Sequence, residues 1–181
     1  MKVVRTALPD ILILEPTVFG DARGFFIETY NRRTFREATG IEVEFVQDNH
    51  SKSVKNVLRG LHYQLVQPQG KLVRVVSGEI YDVAVDIRRS SPTYGSWAGF
   101  ALSAESKQVA WIPPGFAHGF VVTSDDAEVL YKTTDYYAPA HERTLLWNDP
   151  ALAIAWPLAG EPILADKDRR GIALSAAETY A

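Results

Sequence analysis

The chain has 181 residues, 46% of them hydrophobic, no cysteine and a formal net charge of −3. A chain of this length fits one domain able to bury roughly 70% of its unfolded surface, and the absence of cysteine excludes a disulfide framework and a thiolate metal site. The acidic balance argues against a nucleic-acid surface, which is usually marked by a basic excess.

Read in chain order, most segments are β. Apolar alternation predicts strands over residues 10–14 and 25–30, and Asn31 then reads as an N-cap, with Phe35 and Ala38 on a narrow apolar face and Gly40 as the stop of the one convincing helix. Further strands are expected over residues 43–49, 60–65, 71–76, 79–87, 97–102, 108–112, 119–122 and 128–134, separated by turn signals such as Phe19-Gly20-Asp21, Ser77-Gly78 and Pro113-Pro114-Gly115. Gln47-Asp48-Asn49-His50-Ser51 reads as a polar burst closing a strand. In residues 79–87, Tyr81, Val83, Val85 and Ile87 share one face while Asp82, Ala84 and Asp86 share the other, the pattern of a strand with one apolar face. Past Trp147 the period is lost, and the chain becomes rich in proline and alanine before a weakly helical, partly acidic tail. About ten short strands spaced by turns imply an all-β sandwich or jelly roll, a single domain over residues 1–181. No run of about 18 apolar residues offers a membrane span, and Met1-Lys2-Val3-Val4-Arg5-Thr6 has no secretory pattern, so a soluble cytoplasmic protein is the default expectation.

Several polar residues stand where a core would not place them. A lone histidine in an apolar strand is more often a satisfied structural residue than a base, but His62 has Arg59 and Gln64 beside it and Lys71 on the next predicted strand. Buried charges must be paired, so this would be an expensive way to build a core. His118 follows Gly115, which permits a tight turn aiming an imidazole inward. Asp82, Asp86, Asp166 and Asp168 could each orient a histidine, and Asp166-Lys167-Asp168-Arg169-Arg170 by itself looks like a solvated charge run. Tyr131 and Tyr137 lie on or just past one alternating segment. Arg23 and Arg59 could hold phosphate oxygens through bidentate guanidinium contacts. No glycine-rich phosphate loop or dinucleotide fingerprint is present, so a nucleotide would be held by side chains.

The segments Arg59-Gly60-Leu61-His62-Tyr63-Gln64 and Pro113-Pro114-Gly115-Phe116-Ala117-His118 resemble the ligand-bearing strands of metal-dependent cupins. Here Gln64 stands where the second histidine of a His-x-His pair would be, and Lys71 stands near the place of a ligating glutamate. Zinc and non-haem iron want about three or four imidazole, carboxylate or thiolate ligands, so metal-free chemistry is expected and a metal-dependent oxygenase is disfavoured.

Six ordered strings resemble the dTDP-4-dehydrorhamnose 3,5-epimerases more specifically: Phe19-Gly20-Asp21-Ala22-Arg23-Gly24-Phe25-Phe26, Phe45-Val46-Gln47-Asp48-Asn49-His50-Ser51, Leu58-Arg59-Gly60-Leu61-His62, Gly70-Lys71-Leu72-Val73-Arg74, Trp111 to Phe120, and Leu146-Trp147-Asn148-Asp149-Pro150. The resemblance implies a cupin-type jelly roll, usually a homodimer, acting without a cofactor on dTDP-4-dehydro-6-deoxy-D-glucose. It further implies His62 as the proton-abstracting base, Asp168 as its partner ahead of Asp82, Lys71 beside the developing enolate and Tyr131, with Tyr137 the alternative, as the opposite-face donor. Arg23, Glu28, Gln47, Asn49, Arg59, His118, Glu142 and Lys167 would surround the dTDP-sugar. A mono-epimerase or ketoisomerase acting on a related sugar, and a non-catalytic sugar-nucleotide-binding cupin, are the alternatives.

Overall fold

All 181 residues are described in a computed structural model. In chain order the first strands are β1 (Lys2–Arg5), β2 (Leu12–Glu15), β3 (Val18–Asp21), β4 (Gly24–Ile27), β5 (Gln47–Val54), β6 (Leu58–Gln64) and β7 (Lys71–Ser77). The rest are β8 (Glu79–Asp86), β9 (Trp97–Ser103), β10 (Val109–Ile112), β11 (Phe116–Val122), β12 (Asp126–Thr133) and β13 (Glu142–Thr144). They form a six-stranded sheet in the order β1-β2-β10-β7-β12-β5, a five-stranded sheet in the order β13-β6-β11-β8-β9, and a separate hairpin, β3-β4. Every pairing is antiparallel. This is the expected all-β jelly roll of cupin type.

Strand alternation sorts the side chains into three layers. Between the sheets lie Val73, Val75, Ile80, Ala84, Ile112, Phe116, Phe120 and Val129. The outer face of the six-stranded sheet carries Leu12, Leu14, Leu72, Val109 and Trp111, covered by Phe35 of the helix α1 (Arg32–Thr39). Asn31 caps that helix by accepting from the amides of Arg33 and Thr34, and Gly40 ends it at φ 73°, as the sequence predicts.

The outer face of the five-stranded sheet is equally apolar. Leu61, Tyr63, Val83, Val85, Ile87 and Ala117 are buried there under Leu152, Leu174 and Ala177, with Trp156 and Tyr180 at the margin. Side chains of this size gain about 1.5–3 kcal/mol each on full burial, so the irregular C-terminal segment is an energetic necessity for this sheet. Trp97 Nε1 donates to Leu152 O at 2.9 Å and Tyr63 OH to Glu178 O at 2.6 Å, fixing the cover to the sheet.

Several expectations need correction. Residues 79–87 carry the expected apolar face, Tyr81, Val83, Val85 and Ile87, but Asp82, Ala84 and Asp86 on the other face are fully buried too, because that second face looks between the sheets. The 47–51 segment opens β5 instead of closing a strand. Strands β1, β3 and β13 carry too few residues to show a period, and Phe19-Gly20-Asp21 lies inside β3, the turn falling one step later. Residues 166–169 form a one-turn helix, α2, in which Asp168 is buried while Asp166, Lys167, Arg169 and the following Arg170 are exposed, so the charge run is solvated except at Asp168. No helix is long and apolar enough to cross a membrane.

Candidate active site

Between the sheets a cavity of about 340 Å³ opens to solvent, within the size range of ligand pockets. Alternation decides what faces it. Gln47, Asn49 and Ser51 come from one face of β5, His62 and Gln64 from β6, Lys71 and Val73 from β7, His118 from β11 and Tyr131 from β12. Glu142 of β13, Tyr137, and Lys167 and Asp168 of α2 complete the wall with Arg59.

Close strand contact shapes the floor. β6 and β11 pair with a register shift between His118 and Phe120, and a Cβ on Gly60 would come within 2.6 Å of Gly119 Cα. Glycine on both strands lets the backbones meet there. As a result His62 stands directly opposite His118 in the ladder.

Asp168 reaches this site because the chain is anchored on both sides of α2. Ile163 bridges Val57, just before β6, and Ile172 bridges Leu145, just after β13. The one-turn helix is thereby laid across the end of β6. Asp168 Oδ1 lies 2.5 Å from His62 Nε2, with Asp168 almost wholly buried and His62 partly open to the cavity. A carboxylate there fixes the ring orientation and leaves Nδ1 as the nitrogen available to a bound molecule.

Lys71 is buried on the cavity floor at 9% exposure. Burial pushes its ammonium down to about 8, an effect Asp82 and Glu142 oppose and Lys167 reinforces. A cation buried here acts on a bound anionic group with little water to screen it. Tyr131 is held above the usual phenol range, chiefly by burial, so it stays a proton donor at neutral pH.

The rim is a hydrogen-bonded frame. Lys167 Nζ meets both Glu142 oxygens at 2.9 and 3.0 Å, and Tyr137 OH donates to Glu142 at 3.2 Å. Gln47 accepts from the Tyr137 amide at 3.0 Å and donates to Asn49 at 2.9 Å. Arg59 is steadied by Ser53 Oγ at 2.9 Å. Ser51 Oγ is buried with no partner. Ser51 and Gln69 also line the cavity; the odd-numbered face of β5, shared with Gln47 and Asn49, was the available signal for Ser51, whereas Gln69 lies in the loop before β7 and has none.

Two expected site residues lie elsewhere. Arg23 sits at the tip of the β3-β4 hairpin, exposed and tied to Asp21, and Glu28 accepts from Asn31 at 3.1 Å beside the helix cap. Neither lines the cavity of its own chain.

Gln64 is fully engaged: its amide nitrogen donates to Gln67 O at 2.8 Å and Tyr136 O at 3.2 Å, and its oxygen accepts from the Ala138 amide at 2.8 Å. Gln64 thus pins two loops. No group of three or more His, Cys, Asp or Glu side chains is arranged to hold a metal ion.

A histidine backed by a carboxylate, a buried ammonium and a phenol around one cavity are equipped to move protons next to a carbonyl, which places the chain among cupin-type isomerases. A sequence profile described as dTDP-4-dehydrorhamnose 3,5-epimerase matches residues 5–176. An enzyme of that name from Pseudomonas aeruginosa is 61% identical over 180 residues, covering 99% of both chains. The Legionella pneumophila dTDP-6-deoxy-D-glucose-3,5-epimerase, solved with dTDP-4-keto-L-rhamnose, superposes with a TM-score of 0.96 at 50% identity, over 98% of this chain and 94% of that one. A 3'-monoepimerase from Streptomyces bikiniensis, solved with dTDP-quinovose, gives 0.89 at 34% identity, over 97% and 88%. This chain belongs to the dTDP-4-dehydrorhamnose 3,5-epimerase family.

Proposed function

We propose that this chain, acting as one unit over residues 1–181, inverts C3 and C5 of dTDP-4-dehydro-6-deoxy-D-glucose to give dTDP-4-dehydro-L-rhamnose in the cytoplasm, with neither metal nor cofactor. The observation that carries the reading is the convergence of His62–Asp168, Lys71 and Tyr131 on one cavity.

Both carbons flank the C4 ketone, so one enolate chemistry serves both. His62 Nδ1 takes the proton, and the electron pair moves onto O4. Asp168 holds the ring and pairs with the imidazolium that forms once the proton is taken, and general acid–base catalysis of this kind contributes about 10²–10⁴-fold. An imidazole with a reference pKa of about 6.5 is a weak base for a carbon acid, so the enolate needs stabilising. The Lys71 ammonium supplies that by donating to O4. Inversion needs a proton from the other face, which Tyr131 delivers. Gln47, Asn49, Arg59, His118, Glu142 and Lys167 hold the sugar nucleotide.

Arg23 and Glu28 join this scheme through a homodimer. Phe19, Phe25 and Phe26 are 61%, 64% and 68% exposed around Arg23, an apolar surface suited to a protein contact. The hairpin of one copy would bring Arg23 to the substrate of the other. Co-expressing Arg23→Ala with Asp168→Asn should then recover about a quarter of the wild-type sites, since a mixed dimer keeps one intact site; no recovery, or a monomer by sedimentation, removes the shared site.

Incubation with dTDP-4-dehydro-6-deoxy-D-glucose in D₂O, counting deuterium at C3 and C5, tests the main reading. Label and inversion at both carbons are expected. Inversion at one carbon gives the mono-epimerase reading, which the Streptomyces bikiniensis likeness keeps in view, and no label at either leaves a binding protein.

A further inference from the structure

A second histidine–carboxylate pair stands beside the first. Both oxygens of Asp82 lie close to His118 Nε2, at 3.0 and 2.9 Å. Asp82 is fully buried and His118 is 8% exposed. A carboxylate can only accept, so the proton in this contact sits on Nε2. The other ring nitrogen, Nδ1, makes no hydrogen bond within the chain, and it is not among the buried polar atoms without a partner. It therefore opens onto the cavity that His118 lines.

The charge state of the ring follows from its surroundings. Burial pushes its pKa below the ordinary histidine value; Asp82 opposes this, while Lys71 of β7 and His62 of β6 reinforce it. Around the same cavity Glu142 of β13, Lys167 and Asp168 of α2, Arg59 of β6 and the phenols of Tyr63, Tyr131 and Tyr137 complete the titratable set. A neutral ring with its proton committed to Asp82 has a bare Nδ1, which accepts and cannot donate. Such a ring cannot stabilise an enolate oxygen.

We propose that Asp82 is a positioning residue that holds His118 as the Nε2–H tautomer and so divides two tasks at the sugar. His118 Nδ1 accepts a hydrogen bond from a sugar hydroxyl, and Lys71 alone donates to the enolate oxygen. The same carboxylate offsets the burial of the Lys71 ammonium more than any other group does. One buried anion thus sets an acceptor on β11 and preserves a cation on β7. The sugar half of this inference rests on the epimerase reading, whereas the tautomer does not.

The tautomer is measured directly by ring-nitrogen NMR on ¹⁵N-labelled wild-type protein from about pH 6 to about pH 9, where an unperturbed histidine would complete its titration. His118 signals are assigned by their loss in His118→Asn. A neutral ring with Nε2 protonated and Nδ1 bare throughout is expected. A neutral ring protonated on Nδ1, or a cationic ring across that range, overturns the proposal without any variant at Asp82 having to fold. In Asp82→Asn the amide can donate to Nε2, so the ring should switch to the Nδ1–H tautomer. Turnover in that variant should fall at least about tenfold, and the alkaline limb of kcat should move to lower pH as Lys71 loses its offsetting anion. A folded Asp82→Asn whose tautomer and alkaline limb match wild type also overturns the proposal. A wild-type protein with the expected tautomer but no epimerisation would instead defeat the functional reading.

Discussion

Nε2 of His62 and Oδ1 of Asp168 lie 2.5 Å apart although 106 residues separate them in the chain. The contact is held by architecture on both sides. His62 is fixed in a strand paired on both sides, with His118 and Thr144 as its ladder partners, and Asp168 rides on a one-turn helix clamped by the Ile163 and Ile172 bridges. Four residues cannot make a stable helix alone, so the position of Asp168 depends on those bridges. Gly171 belongs to the clamp, because a Cβ there would come within 2.7 Å of Leu145 O.

Asp168→Asn keeps the shape of the pair while removing its charge, and an amide can orient the ring in the wrong tautomer. Turnover should fall by about 10²–10⁴-fold with little change in KM, since the lost interaction matters most when His62 carries the abstracted proton. Steady-state kinetics beside a circular-dichroism check of folding decides it. A pure rise in KM would make Asp168 a binding residue.

Much of this was legible in the sequence, for identifiable reasons. The long strands and the Asn31-to-Gly40 helix follow from period-2 and capping patterns, which are local, while His62 and Lys71 stand out as charges too costly for a core, His118 through the turn at Gly115, and Tyr131 through the family resemblance alone. The pairing of Asp168 with His62 and of Asp82 with His118 is set by sheet register and by a clamp of isolated bridges, which leave no periodic trace. The role of the C-terminal cover was equally hidden, because Leu152, Trp156, Leu174 and Tyr180 are spaced by the loop's path over the sheet. Arg23 and Glu28 enter the expected site through the family resemblance, which carries no statement of which chain's cavity they serve.

Treatment with a strong chelator, followed by dialysis, should leave turnover within about twofold of the untreated enzyme, because the side chains available offer fewer than the three ligands that catalytic sites use. Loss of activity restored by one particular metal ion, and by no other, would refute metal-free chemistry.

Acid stability depends on a different buried carboxylate. Burial opposes the ionisation of Asp86, but hydrogen bonds from Arg88, Ser91 and Thr93 outweigh it and hold the group at about 2. Because the folded value lies below the ordinary 3.8, this contribution is fully present above about pH 4 and is lost as the pH falls toward about 2. Asp86→Asn should therefore cost about 2 kcal/mol or more at neutral pH, the scale of charge-assisted hydrogen bonds. Its stability should also vary less between about pH 4 and pH 2 than wild type does. Urea unfolding at several pH values tests both statements; parallel acid limbs in the two proteins would move the acid sensitivity to other groups.

The two tyrosines near the cavity can be told apart, because proton removal and proton delivery act on opposite faces of the sugar. Tyr131 lines the cavity and makes no side-chain hydrogen bond that would have to break before it donates, whereas Tyr137 is half exposed and already donates to Glu142 at 3.2 Å. Tyr131→Phe leaves His62 able to abstract a proton, exchange it with solvent and return a deuteron to the same face. In D₂O the recovered substrate should therefore gain label with retained configuration, while the inverted sugar forms at least about 10²-fold more slowly, the scale of a lost general acid. Tyr137→Phe should lower affinity by a few-fold at most, since it loosens one hydrogen bond of the rim. NMR of the recovered sugars reads label and configuration together. Wild-type inversion by Tyr131→Phe, with slow inversion and retained label in Tyr137→Phe, would reverse the assignment and require the Tyr137–Glu142 contact to open during turnover.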